Sequence, residues 1–358
     1  ILKKCYDMMK KWVEYQNSTD RRNYGVRTVD GKEVPEQSDL ATIPYIQVQQ
    51  CRGDHLTYAN STPYIYSATA YAAHSADILR RTAYILGKTD DEKRYTELFE
   101  NIKRAFNDAW VNDDGSVSYY GEVSSQTAHC GESVALDGSV TRYTYYAENT
   151  PHCPSQTAYA LAVDFDLIPT DKLKNTREYF KNSILRNNCK LTVGFLGISH
   201  LAPALSKVGL DDVAFKLLEQ EDNPSWLYSV KNGATTIWER WNSYIAETGT
   251  FGDVSMNSFN HYSYGAIGQW FFTDILGICP VEFGYKSFML SPKFGGGLTY
   301  AKGSFTSPYG KISSAWKLHD GKFTYDCTVP TNTTATLKLP NGDIHTLVGG
   351  SYHFEINV

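Results

Sequence analysis

The sequence predicts a mainly α-helical domain, a toroid of helical hairpins, followed by an antiparallel β domain of the sandwich type. Three observations lead there. Apolar residues recur at helical spacing through the first three-quarters of the 358 residues. Long polar loops separate the helical segments. After Pro280 the period drops to two, with Asp-Gly and Asn-Gly turns between alternating runs. The boundary therefore falls between a helical domain, 1–279, and a β domain, 280–358.

Residues 2–15 place Leu2, Cys5, Met9, Trp12 and Tyr15 on one helical face with lysines opposite. An Ala-rich helix is expected over 67–86. A third, over 91–110, opens with acidic residues that suit the positive end of a helix dipole. Further helices are expected at 155–166, 170–186, 195–206, 211–220 and 258–276, about eight in all. The loops 17–60, 111–154 and 221–257 are long enough to carry function. Paired helices whose loops gather at one end would form a cleft there. The β domain is read as "KISSAWKLH", a DG turn, "KFTYDCTV", "TATLKLP", an NG turn, "IHTLV", GG and "SYHFEI".

The net charge of −5 and the lack of any long Lys/Arg run argue against a nucleic-acid partner. No apolar stretch approaches the roughly 18 to 20 residues of a membrane span; the most apolar, 265–278, contains Asp274. The seven cysteines show no CxxC pair and read as free thiols. The nine histidines show no HxxxH or HExxH spacing, so neither a metal nor another cofactor is expected. Aromatic residues make up 14% of the chain, with 26 Tyr, and such rings suit either an aromatic core or the apolar faces and hydroxyl rims of sugars.

The segment "TTIWERWNSY", 235–244, sets a carboxylate between two tryptophans. Two readings stand. Thr236 and Glu239 fit a Ser/Thr-x-x-Glu capping box, in which Glu239 merely closes the start of a helix. Alternatively, Glu239 ends a long loop, partly desolvated by Trp238 and Trp241 and beside Arg240, an environment that suits a catalytic acid or base. Downstream, Asn257, Asn260 and His261 sit where the next helix would begin, and could point into the same cleft.

The stretch "LTVGFLGISHLAPALSKVGLDDVAFKLLEQEDNPSWLYSVKNGATTIWERWNSY", 191–244, followed by "SMNSFNHYSYGAIGQWFFTDILGI", 255–278, resembles the α-L-rhamnosidases of glycoside hydrolase family 78. "RGDHL" and "STPYIYSATAYAAHSADIL", within 52–79, are similar to a third segment of that family. The resemblance covers nearly the whole chain and implies an (α/α)6 barrel with a C-terminal β-sandwich. It also implies inverting removal of terminal α-L-rhamnose from rhamnose-containing glycosides or oligosaccharides. It makes Glu239 the general base and His261 a substrate contact, and places Asp54 in the matching "GD" pair. Trp238, Asn260 and Phe195 join the expected sugar-binding set, and Tyr262 is a further candidate platform. His55 stands where the family usually has tryptophan.

Inversion requires a second carboxyl about 6.5 to 9.5 Å from the first. In the family this acid lies in an upstream Asp-, Arg- and Trp-containing motif, and nothing here resembles that motif. Six hairpins also need about twelve helices, against the eight or so counted. The expectation is therefore a barrel without its early helices, with the acid in an N-terminal part of the same protein. Asp54, Glu247 and Asp253 are the candidates within the chain. Two alternatives remain open at this point: a non-catalytic carbohydrate-binding or scaffold protein of the same fold, and another inverting (α/α)6 glycosidase.

Overall fold

The computed structural model describes residues 1–18, 44–47, 53–58, 62–118 and 154–358. It also describes the backbone of two short hairpins, β1 (Val26–Val29) with β2 (Lys32–Pro35) and β3 (Cys130–Val134) with β4 (Val140–Thr144). Most of the expected loops 17–60 and 111–154 lie outside the described residues, as do Cys51, Cys153 and the side chain of Cys130.

The helices follow the apolar period closely. α1 (Leu2–Gln16) packs on α2 (Tyr64–Ile85), burying Tyr6 and Val13 against Leu79, Ala83 and Tyr95. In α2, small residues at 70, 72, 73 and 76 allow close approach, and α3 (Thr89–Trp110) answers with Phe99, Ile102, Phe106 and Trp110 at spacings of three and four. Asp90, Asp91 and Glu92 occupy the first turn of α3, as its charge pattern requires. α4 (Gln156–Asp164) is buried at every position except its last, with Ser155 Oγ accepting the Ala158 N–H at 3.0 Å as its cap.

α5 (Leu173–Leu185) covers α4, and α6 (Phe195–Lys207) lies against both α4 and α7 (Asp211–Leu218). The pairs α2–α3, α4–α5 and α6–α7 are successive hairpins, with α2, α4 and α6 side by side as the inner ring of a toroid. Seven of the expected helices appear as α1 to α7. An eighth, α8 (Trp226–Lys231), interrupts the loop 221–257; it is too short for periodicity to mark, although Ser225 caps it.

The region 258–276, expected as one helix, is instead irregular up to Tyr262. It then runs as a 3₁₀ turn at 263–266, α9 (Ile267–Trp270) and a π-helical turn at 271–275. Its first residues are drawn off into pairing with 236–239, as described below. The capping box over Thr236 and Glu239 is likewise not formed, because no helix follows them.

The β5 (Tyr244–Ile245) and β6 (Thr250–Phe251) hairpin closes the helical region. The β domain then forms two four-stranded sheets. One is ordered β14 (Gly350–Asn357), β11 (Lys322–Val329), β10 (Gly310–His319), β9 (Tyr300–Ser307). The other is ordered β13 (Ile344–Leu347), β12 (Thr334–Lys338), β8 (Ser287–Leu290), β7 (Ile278–Pro280). Alternate residues face a shared core of Trp316, Phe323, Tyr325, Phe288 and Leu337. Between β10 and β11 the DG turn puts both Asp320 (φ 50°) and Gly321 (φ 74°) in the left-handed region, as a type I′ turn demands. Pairing is antiparallel except for β8 with β12, a parallel match that the sequence pattern gave no means of foreseeing.

The sandwich is clamped to the helical domain. Trp316 Nε1 donates to Ile275 O at 2.8 Å, and Ser314 Oγ donates to Leu276 O at 2.7 Å. Lys293 Nζ bridges Asp211 (2.8 Å) and Asp274 (3.0 Å). Cys5, Cys189, Cys279 and Cys327 are free thiols. No helix among the described residues is long and apolar enough to cross a membrane.

Candidate active site

Three separate segments, 54–58, 192–197 and 236–264, converge on the N-terminus of α6. The first is fixed by one carboxylate. Asp54, 6% exposed, accepts the backbone N–H groups of Gly194 (2.9 Å), Leu196 (2.9 Å) and Gly197 (3.0 Å), and the Thr157 hydroxyl donates to it as well. These are the amides an α-helix leaves unpaired at its start, so Asp54 caps α6 from 140 residues away. Burial works to raise the Asp54 carboxyl, and the four hydrogen bonds pull the other way; the net direction is upward. The approach is close enough that a Cβ at Gly194 would overlap the His55 carbonyl oxygen, and Phe195 N–H donates to that carbonyl at 2.9 Å.

Residues 236–239 and 258–261 run against each other as a short irregular pair. Glu239 N–H donates to Ser258 O at 2.9 Å, and His261 N–H donates to Ile237 O at 2.8 Å. The Thr236 hydroxyl donates to Phe259 O. The Glu239 carboxylate is held on one side only: Ser258 N–H donates to Oε2 at 2.7 Å, and Oε1 has no hydrogen-bond partner among the described residues. The group is half-buried.

The two tryptophans beside it anchor the loop. Trp241 is buried, stacks on Tyr264 (3.8 Å between centroids, 10° between planes) and donates Nε1–H to Val193 O at 2.9 Å. Trp238 is buried with its ring edge-on to Phe259 at 5.2 Å, so little of its face is open. Arg240 turns away from Glu239: its Nε donates to Met256 O (2.8 Å) and its Nη2 meets Asp253 at 2.9 Å.

Aromatic rings gather at the start of α6. Phe195 stacks on His261 at 4.9 Å, His261 stacks on Tyr262 at 5.5 Å, and His55 stands edge-on to Phe195 at 5.5 Å. Tyr262 ends this row 86% exposed. His261 Nδ1 accepts the Ser263 N–H at 3.3 Å, which leaves Nε2 to carry the proton of the neutral ring. Asn260 is exposed at the rim, whereas Asn257 donates Nδ2–H to Ser243 O at 2.8 Å. Burial, then the Asp54 charge, push the Tyr264 hydroxyl well above its ordinary value, so it stays protonated and donates to Leu56 O at 3.2 Å.

Of the residues singled out in the sequence, Phe195, His261 and Tyr262 form this row of rings, Glu239 and Asn260 lie on the paired segments 236–239 and 258–261, Asp54 is buried under the α6 N-terminus, and Trp238 is buried against Phe259. Ser258, which orients the carboxylate through its backbone, carried no side-chain signal. Tyr264 lay within the "NHYSYG" motif unremarked.

Residues 1–275 match the bacterial α-L-rhamnosidase six-hairpin glycosidase domain, and residues 277–354 match the bacterial α-L-rhamnosidase C-terminal domain. An α-L-rhamnosidase of Formosa agariphila is 33% identical over 97% of this chain and 32% of its own length. One from Streptomyces avermitilis is 38% identical over 80% of this chain and 24% of its own. The crystal structure of Streptomyces avermitilis α-L-rhamnosidase complexed with L-rhamnose superposes with a TM-score of 0.77 at 32% identity, over 99% of this chain and 31% of that one. The native Aspergillus terreus enzyme gives 0.76 at 27% identity, over 99% and 36%. The chain thus spans about a third or less of the length of the curated relatives it matches. It belongs to the bacterial α-L-rhamnosidase family, residues 1–275 matching that family's glycosidase domain and 277–354 its C-terminal domain.

Proposed function

We propose that this chain carries the general base and part of the sugar site of a glycoside hydrolase that removes terminal α-L-rhamnose with inversion. The observation that carries the proposal is the one-sided grip on Glu239. Ser258 N–H fixes Oε2, so Oε1 is the oxygen left to take a proton from water. That water attacks C1 of the sugar from the face opposite the leaving oxygen. His261, protonated at Nε2, donates to a ring hydroxyl, and Phe195 and Tyr262 offer apolar ring faces to the sugar. Asn260 contributes at the rim. Asp54 and Trp238 act beneath the site as supports.

The departing oxygen needs a proton from a second carboxyl. Asp54 is occupied by four donors, and Asp253 by Arg240, Ser255 and Met256. Glu247 faces a different cavity. None of these three candidates stands free beside Glu239 among the described residues, and we propose, as the family resemblance implies, that the acid comes from an upstream part of the protein.

The test uses the complete protein and an aryl α-L-rhamnoside. Glu239→Gln keeps an oxygen to accept the Ser258 amide but cannot accept a proton from water, and kcat should fall on the order of 10² to 10⁴-fold. Proton NMR of the first product should show the β anomer. Wild-type turnover in the variant, or an α anomer released first, would sink the assignment.

A further inference from the structure

A cavity of about 450 Å³ opens between segment 54–58, the loops that precede α6 and α8, α8 itself and the β5–β6 hairpin. It borders the far ends of the two segments that carry Asp54 and Glu239. Tyr58 lies four residues beyond Asp54 and Asn242 three beyond Glu239. Even fully extended, those spacers reach only about 14 and 11 Å respectively. The volume falls within the range of roughly 300 to 1,000 Å³ usual for small-molecule sites.

The lining is polar and incompletely paired. The Asn242 side-chain amide makes no hydrogen bond among the described residues, which leaves two donors and an acceptor for a ligand. Tyr58 and Tyr228 bring aromatic rings, held in place by Asn223 Nδ2 donating to the Tyr58 hydroxyl at 3.0 Å and Ala246 N–H donating to the Tyr228 hydroxyl at 2.9 Å. Ile245 supplies an apolar patch. Lys190 reaches Asp222 only at 3.5 Å, and Glu247 stands beside the Tyr228 hydroxyl. One cation therefore faces two carboxylates.

We infer that this cavity is a carbohydrate subsite for a neutral sugar unit of the same glycan, adjoining the one at Glu239. Hydroxyls of the sugar complete Asn242 and Lys190, and its C–H faces meet the tyrosines. The unbalanced carboxylate disfavours a uronic acid, whose charge would be desolvated beside another of the same sign. The identity of the glycan rests on the glycosidase reading above; the existence of the cavity does not.

Complete protein carrying Glu239→Gln, which slows turnover, is titrated by calorimetry with L-rhamnose, with a rhamnose-terminated trisaccharide of neutral hexoses, and with that trisaccharide carrying a uronic acid in place of one hexose. The neutral trisaccharide should bind about tenfold tighter than L-rhamnose, and the uronate should lose that advantage. Asn242→Ala, which removes the amide, and Ile245→Trp, which fills the space, should each cut the advantage to within about threefold. Trisaccharide and rhamnose binding alike, or an advantage that survives both variants, overturns the proposal, as does absence of any saccharide binding. Trisaccharide binding lost in both variants without any affinity for L-rhamnose would keep the cavity and sink the rhamnosidase reading.

Discussion

Asp54 and Glu239 are both carboxylates in loops around the start of α6, and the protein treats them in opposite ways. Asp54 is buried, with three amides and a hydroxyl directed at it. Glu239 is half-buried, with one amide and an oxygen to spare. A carboxylate whose acceptor sites are filled contributes to stability and is poor at taking a proton; one held by a single donor is oriented and still reactive. The difference separates a group that fixes the start of α6 from one left open for the base role proposed for it.

The largest effect that would break this division is on folding. Asp54→Ala strands three buried N–H groups and the Thr157 hydroxyl, and removes a helix cap. The expected cost is on the order of 3 kcal/mol, or more than 100-fold in the local opening equilibrium. Amide hydrogen exchange at Leu196 and Gly197 reads it directly, and the urea midpoint should fall in step. Glu239→Gln should leave both readouts within about 0.5 kcal/mol of wild type, since the Ser258 amide keeps an acceptor. If Asp54→Ala abolished rhamnoside turnover while exchange at Leu196 stayed slow, the assignment of roles would have to be reversed.

A smaller effect sharpens the Glu239 side. Replacing His261 by Ala removes one sugar-facing donor and one ring of the stack, so KM for an aryl α-L-rhamnoside should rise about 5- to 10-fold, with kcat changed less. His261→Gln, which keeps an N–H donor, should recover part of the loss. A fall in kcat comparable to that of Glu239→Gln would instead place His261 in the proton transfer itself.

How much of this could be read beforehand depends on whether a residue's role is written in its neighbours. The helices α1 to α7 and the DG hairpin were legible because periodicity and turn chemistry are local. The "TTIWERW" segment and the "NHYSYG" motif drew attention to two stretches that the fold pairs with each other. The capping-box pattern over Thr236 and Glu239 misled because the amide that Glu239 receives belongs to Ser258, 19 residues on. Helical pattern from 258 misled for the same reason: Ser258 and His261 give their N–H groups to 236–239 before the helix can start. The carboxylate of Asp54 serves a helix that begins at residue 195, and the parallel β8–β12 match joins strands more than forty residues apart. Such roles are set by tertiary contact, to which local spacing is blind.

The smallest predicted effect concerns the brace behind the base. Burial works to raise the Asp253 carboxyl. The Ser255 hydroxyl and amide, the Arg240 charge and the Met256 amide together outweigh it, so the carboxyl titrates below its ordinary range. A carboxyl depressed in the folded state adds stability above its unfolded value, near 3.9, and that contribution is lost as pH falls through the folded one. Asp253→Asn should therefore lower the unfolding free energy at pH 7 by less than about 1 kcal/mol, read from the denaturant midpoint, as expected of a partly exposed ion pair. The gap between variant and wild type should close as the pH is taken below about 4. Because Arg240 also holds the Met256 carbonyl, two residues before Ser258, the same variant should loosen the Glu239 contact and lower kcat a few-fold at neutral pH. A midpoint difference that persists unchanged at pH 3 would mean that Asp253 acts through shape and not through charge, and that the grip on Glu239 is independent of it.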